Sequence, residues 1–282
     1  MSYDLYLSYS GRYSYLKCPK KYWYNYIKKQ PRKEDKKHTL FGSTIGKVFE
    51  YFYNKNFWMG PNPEQKTIAS IESAIDAVCY HEKIDKDTYS DIFSEIRVEI
   101  ESLVPEIINN IKKHKLLMPS SKSEVDLTVK CRNDDFNLTI KVGGRADFIH
   151  SNGNNVWIID GKGSKYREKY VDSEQLIWYA VQHYLKYHVS PTRLGFFYYK
   201  FPKDPIQWVE YNEQSVRSNL KLTFEISKKI LNNEFIPNPT GECHRCDFHG
   251  ICEEGISYLA SRRVKTGGRI DTDNDIFDLE FV

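Results

Sequence analysis

An α/β fold, a central mixed sheet flanked by helices behind a helical amino-terminal half, follows from three observations on the chain. Apolar residues recur at helical spacing through roughly the first 115 residues. From Glu124 onward the period drops to two. After about residue 172, helical and strand-like patterns alternate, the arrangement of a sheet with helices packed on it.

Residues 12 to 29, 41 to 58, 64 to 82 and 88 to 115 carry the helical spacing, the last through Ile92, Ile96, Ile100, Leu103, Ile107 and Ile111. Gly60-Pro61-Asn62-Pro63 separates the second helix from the third. Val125, Leu127 and Val129 then alternate, the polar turn Arg132-Asn133-Asp134-Asp135 follows, and Phe136, Leu138 and Ile140 alternate again, which predicts a hairpin. Gly143-Gly144 leads into Arg145-Ala146-Asp147-Phe148-Ile149, and after the turn at 151 to 155 Val156-Trp157-Ile158-Ile159-Asp160 reads as a buried strand. Helices are expected over 172 to 189 and 213 to 233, with strands over 194 to 201 and 206 to 211. The domain reading is a helical region over 1–115, a sheet-bearing core over 116–235, a cysteine segment over 236–260 and a basic, then acidic, tail over 261–282.

At 282 residues the chain is long enough for a sizeable core, and 40% hydrophobic with 15% aromatic content excludes a disordered class. A net charge of +3 names no partner, but Lys17, Lys20, Lys21, Lys28, Lys29, Arg32, Lys33, Lys36 and Lys37 crowd one segment among Tyr22, Trp23, Tyr24 and Tyr26. Cations neutralise phosphates and aromatic faces stack bases, so the segment suits a nucleic-acid groove; a solvated basic helix with a half-buried aromatic face has the same composition. The opening MSYDLYLSYS lacks an apolar signal region, and no run approaches a membrane span, so a cytoplasmic protein with no membrane partner is expected.

In a reducing compartment, clustered cysteines bind metal or do redox chemistry. Cys243, Cys246 and Cys252 are spaced C-x2-C-x5-C, and Cys18 beside Pro19 supplies a remote fourth thiol that would tie the two ends together around one metal or cluster. An iron–sulfur cluster is preferred because zinc ribbons usually present two paired knuckles; zinc is the alternative, with His244 and His249 as substitute ligands. Cys79 and Cys131 stand alone and read as ordinary small buried residues.

Two carboxylates interrupt apolar strands, Asp147 and Asp160, and Lys162 projects to the same side of an extended backbone as Asp160. Hard oxygen ligands beside an ammonium suit Mg²⁺ or Mn²⁺, and the lysine could orient water or stabilise developing negative charge. Asp160-Gly161-Lys162-Gly163 by itself is turn chemistry as readily as a site, whereas Asp147 sits within an apolar strand where an unpaired carboxylate is costly.

Gly144 to Ile149, Ile158 to Lys162, and Gln175-Leu176-Ile177-Trp178-Tyr179-Ala180, in that order, resemble the second and third motifs and the Q-x3-Y motif of RecB-like nucleases in the PD-(D/E)XK superfamily. Ser10 to Tyr26 and Phe235 to Cys252 resemble the cysteine segments of the iron–sulfur subgroup, which includes CRISPR-associated exonucleases of the Cas-four type and the AddB nuclease domain. The resemblance spans residues 8 to 254 and implies a restriction-endonuclease-like core with a structural [4Fe–4S] cluster on Cys18, Cys243, Cys246 and Cys252 clamping the termini. It further implies metal binding by Asp147 and Asp160, catalysis by Lys162, and an active-site lining of Gln175 and Tyr179, which share one helix face.

The implied function is a metal-dependent deoxyribonuclease, an exonuclease acting on DNA that is single-stranded or has free ends; a catalytically weak fold that binds DNA or a partner protein is the competing class. One departure stands out. Where the family commonly has a histidine ligand in a G-x3-H helix start, Gly42-Ser43-Thr44-Ile45-Gly46 offers glycine, leaving water or Glu50, one turn further on, to take that place. The tail from Asp271 to Val282 alternates acidic and apolar residues and reads as a docking segment for a protein partner or for the basic groove, or else as a terminal strand.

Overall fold

The computed structural model describes residues 3–31, 36–153, 155–164, 166–167 and 174–265. In chain order these form strand β1 (Leu5–Ser8), helices α1 (Tyr9–Lys17) and α2 (Pro19–Tyr22), a π-helical turn at Trp23–Ile27, and helices α3 (Lys36–Asn54), α4 (Pro63–Ala69), α5 (Ile71–Glu82) and α6 (Ser90–Lys113). Strands β2 (Lys122–Asp126), β3 (Val129–Asn133), β4 (Leu138–Gly143), β5 (Arg145–Asn152) and β6 (Asn155–Lys162) lead to helix α7 (Gln175–Tyr187). Strands β7 (Arg193–Tyr198) and β8 (Ile206–Val209) and helices α8 (Glu213–Leu231) and α9 (Glu253–Lys265) complete the order. The chain divides into two compact units, Met1–Tyr9 with Asp35–Phe224 and Ser10–Glu34 with Glu225–Val282, each considered within its described residues.

The first unit holds two sheets, one ordered β1-β4-β3 and one ordered β2-β5-β6-β7-β8. Pairings β1–β4 and β6–β7 are parallel and the others antiparallel, so the architecture is mixed α/β as expected. The parallel β6–β7 pair requires a crossover, which α7 supplies. The single strand expected through Val125, Leu127 and Val129 is corrected: it is divided between β2, which pairs with β5, and β3, which pairs with β4. Between them Leu127 is fully buried and its N–H donates to Gly144 O at 2.9 Å, so the chain leaves one sheet for the other at that residue. The hairpin itself forms between β3 and β4. Strand β1, only four residues long, offered too little alternation to be read in advance.

Helix α3 turns Leu40, Phe41, Ile45, Val48, Phe49 and Phe52 inward, all nearly or fully buried. They join Ile75 of α5, Ile100 and Ile108 of α6, and Phe148, Ile159 and Phe197 of the five-stranded sheet in one core cluster. Each such side chain contributes on the order of 2 kcal/mol on burial. The helical half therefore packs onto the sheet within this unit. The expected 64–82 helix is two helices meeting at Ser70, and Pro105 lies inside α6 without ending it.

In the second unit the predicted 12–29 helix breaks at Cys18, whose backbone is extended (φ −162°, ψ 111°). Proline crowds the residue before it out of the α region, and Pro19 then starts α2. Aromatic contacts hold this unit: Tyr22 stacks on Tyr26 (4.9 Å between centroids) and Phe235 (6.2 Å), and Tyr24 stacks on Phe248 (5.2 Å). Tyr15 OH donates to Glu234 O (2.5 Å) and Tyr24 OH to Ile251 O (3.1 Å), so amino-terminal and carboxy-terminal segments meet here. Arg32, Lys33 and the acidic tail from Asp271 to Val282 lie outside the described residues. Among the described residues no helix is long and apolar enough to cross a membrane.

Candidate active site

The antiparallel β5–β6 ladder runs from Asn152↔Asn155 to Phe148↔Ile159. The next residue on each strand is an aspartate, Asp147 and Asp160, so the two carboxylates come together where the ladder ends. Gly161 N–H donates to Asp147 Oδ2 at 2.8 Å. The Lys162 ammonium is ion-paired with Asp160 and donates to Gln175 Oε1 at 2.8 Å, while Gln175 Nε2 donates to Tyr179 OH at 3.0 Å. All five residues singled out in the sequence thus form one connected group inside the first unit.

Electrostatics in this group are dominated by burial. Asp160 is 2% exposed; its Oδ2 accepts no well-formed hydrogen bond although the Lys162 ammonium lies against it. Burial, and then the charge of Asp160, hold the Asp147 carboxyl well above the usual carboxylate range, with Lys162 and the Gly161 N–H working in the opposite direction. The Tyr179 phenol is likewise pushed up, by burial first and then by Asp160 and Asp147. Two neighbouring acids in a low-dielectric setting repel, and a positive charge placed between them relieves that repulsion.

Close backbone approaches set this geometry. Trp178 Nε1 donates to Gly143 O and Gln182 Nε2 to Val142 O, both at 3.1 Å, which pins α7 to the end of β4 just before Asp147. A Cβ at Gly144 would lie 2.3 Å from Gln182 Oε1, and one at Gly161 would lie 2.3 Å from the buried Tyr199 OH, so both positions require glycine. Gly161 lies within β6, so it is a spacer for the site and not the turn residue its sequence context also allowed.

Glu124, in β2, escaped the sequence reading. It occupies the left-handed region (φ 53°), a costly conformation for a non-glycine residue in a strand, at the register position facing Asp147 between the pairs Ser123↔Phe148 and Val125↔Ala146. Burial, and then the charge of Glu50, raise its pKa. The only signal in the sequence was an acidic residue placed where the strand alternation begins. Glu50 itself pairs with Lys47 on α3, and Gly46 lies one turn before it with nothing within 4 Å of where a Cβ would stand.

Cys18, Cys243, Cys246 and Cys252 all fall in the second unit. Backbone N–H groups point at two of the sulfurs, Asn238 N to Cys18 Sγ and Thr240 N to Cys243 Sγ, both at 3.4 Å. Cys252 and Cys243 both border Gly255, and Cys18 lies within electrostatic reach of Cys252. Burial pushes the Cys246 and Cys252 thiols up. Nδ1 of His244 and of His249 is taken up by a backbone carbonyl, Gly241 O and Cys246 O respectively. Cys79 is buried in the first unit's core, and burial pushes the Cys131 thiol on β3 to about 11. Among the described residues no three of His, Cys, Asp or Glu stand closely enough grouped to hold a metal ion.

A family model described as the PD-(D/E)XK nuclease superfamily matches residues 6–253, most of the chain. The chain belongs to the PD-(D/E)XK nuclease superfamily. Members are in general nucleases that cleave phosphodiester bonds of nucleic acid, typically with Mg²⁺ or Mn²⁺. No curated protein matches. Among the solved structures with which this superfamily member shares similarity is one titled "Crystal structure of SSO0001", 20% identical, covering 60% of this chain and 78% of that one with a TM-score of 0.29.

The donor sets fit these groups in kind. Asp147 and Asp160 are hard oxygen donors whose mutual repulsion a divalent cation would relieve, and the four cysteines, two of them with an N–H group directed at sulfur, are soft donors of the kind a thiolate-bound metal or cluster takes.

Proposed function

We propose that this superfamily member is a divalent-metal-dependent deoxyribonuclease of the RecB-like, iron–sulfur kind, acting as an exonuclease on DNA that is single-stranded or has free ends. Asp147 and Asp160 hold the metal, Lys162 acts on the reacting phosphate, and a [4Fe–4S] cluster on Cys18, Cys243, Cys246 and Cys252 is structural. The observation that carries the catalytic part is the convergence of both aspartates with an ammonium that is ion-paired to Asp160 and hydrogen-bonded by Gln175. Support for the cluster comes from the order of the cysteines and from the two N–H groups directed at sulfur.

When bound, the divalent metal supplies positive charge that stabilises phosphoryl oxygens and acidifies water. The chain's own residues do the rest. Gln175 Oε1 fixes the Lys162 ammonium, and Tyr179 OH in turn fixes the Gln175 amide, so the cation is held for the charge that develops on the phosphate. Burial of Asp160 and Tyr179 keeps the surroundings poor in water, where such charge stabilisation is strongest.

A second reading, a weak nuclease fold that binds DNA or a partner protein, is favoured by Gly46 in the usual histidine position and by the absence of a closed three-ligand set among the described residues. Degradation of end-labelled single-stranded DNA with Mn²⁺, compared with an Asp160→Ala variant, separates the two. Shortening of the strand by wild type alone supports the enzyme, and equal inactivity of both proteins supports the binding fold.

A further inference from the structure

Arg167 lies just beyond the catalytic strand and carries a feature that the reaction chemistry does not use. Its guanidinium rests over the rings of Tyr198 (5.0 Å to the centroid) and Phe201 (4.7 Å). Nη1 donates to Asp204 Oδ2 at 2.7 Å. Nε and Nη2, the two nitrogens on the side-on edge of the fork, are covered and have no hydrogen-bond partner among the described residues. That edge matches two oxygens of a carboxylate or phosphate, and a permanently charged group with idle buried donors is costly to keep.

Its surroundings relate the group to the site. In the β6–β7 register Asp160 faces Phe196 and Lys162 faces Tyr198. The Lys162 ammonium lies over the Phe196 ring (5.2 Å), and Arg167 lies over Tyr198, the next ring on the same side of β7. Two strand residues advance about 6.6 Å, comparable with the separation of neighbouring phosphates along a nucleic-acid strand. Tyr198 is fully buried and anchored by its hydroxyl to Gln207 Oε1 (2.7 Å), so it is a fixed platform. Asp204, 75% exposed on its side chain, is an easily displaced anion.

We infer that Arg167 is a phosphate-binding residue, which lets go of the Asp204 carboxylate on Nη1 and turns its Nε and Nη2 edge to a backbone phosphodiester of the nucleic-acid strand next to the one at Lys162. This rests on the nuclease reading for the role of Lys162, but the contact itself is a binding contact and is tested without cleavage.

The test is fluorescence anisotropy of a short labelled oligothymidylate, with Ca²⁺ in place of the activating metal, across a series of KCl concentrations. Arg167→Ala should weaken binding roughly tenfold and reduce the slope of log affinity against log salt by about 0.7, one phosphate contact on a single strand. Arg167→Lys should restore the slope but not the affinity, since an ammonium keeps the charge and lacks the fork. Asp204→Asn should bind as well as wild type or better. Unchanged affinity and slope in Arg167→Ala overturns the proposal, as does equal weakening in Arg167→Ala and Asp204→Asn, which would make the pair structural. Should Arg167→Ala melt early, Arg167→Gln gives the same reading. A wild type that binds with this Arg167 dependence yet never cleaves would sink the nuclease reading and leave the subsite standing; a wild type that binds no oligonucleotide sinks the subsite.

Discussion

The first unit buries Phe49, Phe52, Ile100 and Phe197 in a continuous core and lets two aspartates meet at the end of one of its strand ladders, whereas the described part of the second buries few large apolar side chains, chiefly Tyr15, Tyr22, Ile226, Ile230 and Phe248. One has apolar area to spare and carries the costly carboxylates of a reaction site. The other has stacked tyrosines and four cysteines. The difference teaches that metal would serve opposite purposes in the two: in the first it relieves a repulsion that an already stable core tolerates, in the second it substitutes for a core that the segment lacks.

The largest expected effect breaks the second unit alone. Cys246→Ser should abolish the brown colour of protein purified under low oxygen and open the 225–265 segment to protease, with on the order of 10 kcal/mol of metal-coupled folding energy at stake. Cys131→Ser on β3 should do neither. A colourless wild type with stoichiometric zinc would retain the staple and remove the iron–sulfur assignment.

A smaller effect sharpens the account of the first unit. His150 is fully buried on β5 between Tyr53 and Phe148, with Nδ1 2.9 Å from Ser121 Oγ, and burial lowers its pKa to about 3 from the ordinary 6.5. The folded state therefore takes up its proton only at lower pH than the unfolded state. The stability from this group is complete above about pH 6.5 and declines toward its folded value as the medium acidifies, at about 1.4 kcal/mol per pH unit. His150→Phe should shrink the loss of unfolding free energy between pH 6.5 and pH 5 by about 2 kcal/mol, read by urea titration. An identical pH slope in the variant would contradict the burial argument.

The smallest effect concerns Gly46. Open space around a Cβ there, and Glu50 four residues on along the same helix face, leave room for the missing imidazole. Gly46→His should tighten Mn²⁺ binding a few-fold and stabilise α3 by a few tenths of a kcal/mol, since glycine is a poor helix former. Unchanged metal affinity would show that position 46 does not face the site.

Much of the first unit was legible because its signals are local. Alternation puts Asp160 and Lys162 on one side of a strand, and Gln175 and Tyr179 sit one turn apart on a helix, so the register of β5 with β6 had only to bring Asp147 to them. What was not legible depends on distant partners. The switch of sheets at Leu127 depends on a bond to Gly144, and the left-handed Glu124 on the strand it faces. The need for glycine at 144 and 161 arises from Gln182 and Tyr199, which no spacing rule links to them. In the second unit Pro19 was a local signal for the break at Cys18 that the expected 12–29 helix passed over, and the aromatic packing of Tyr22 on Phe235 joins residues too far apart in the chain for periodicity to connect.

The central claim, that metal binding by the aspartates and charge stabilisation by the lysine are separate tasks in one buried group, is tested most directly by calorimetric Mn²⁺ titration paired with turnover for wild type, Asp147→Ala, Asp160→Ala and Lys162→Ala. Each aspartate variant should lose tight metal binding together with roughly a thousandfold or more of turnover, and Lys162→Ala should lose turnover while keeping the metal and the DNA. Equal metal affinity in wild type and in both aspartate variants would contradict the account.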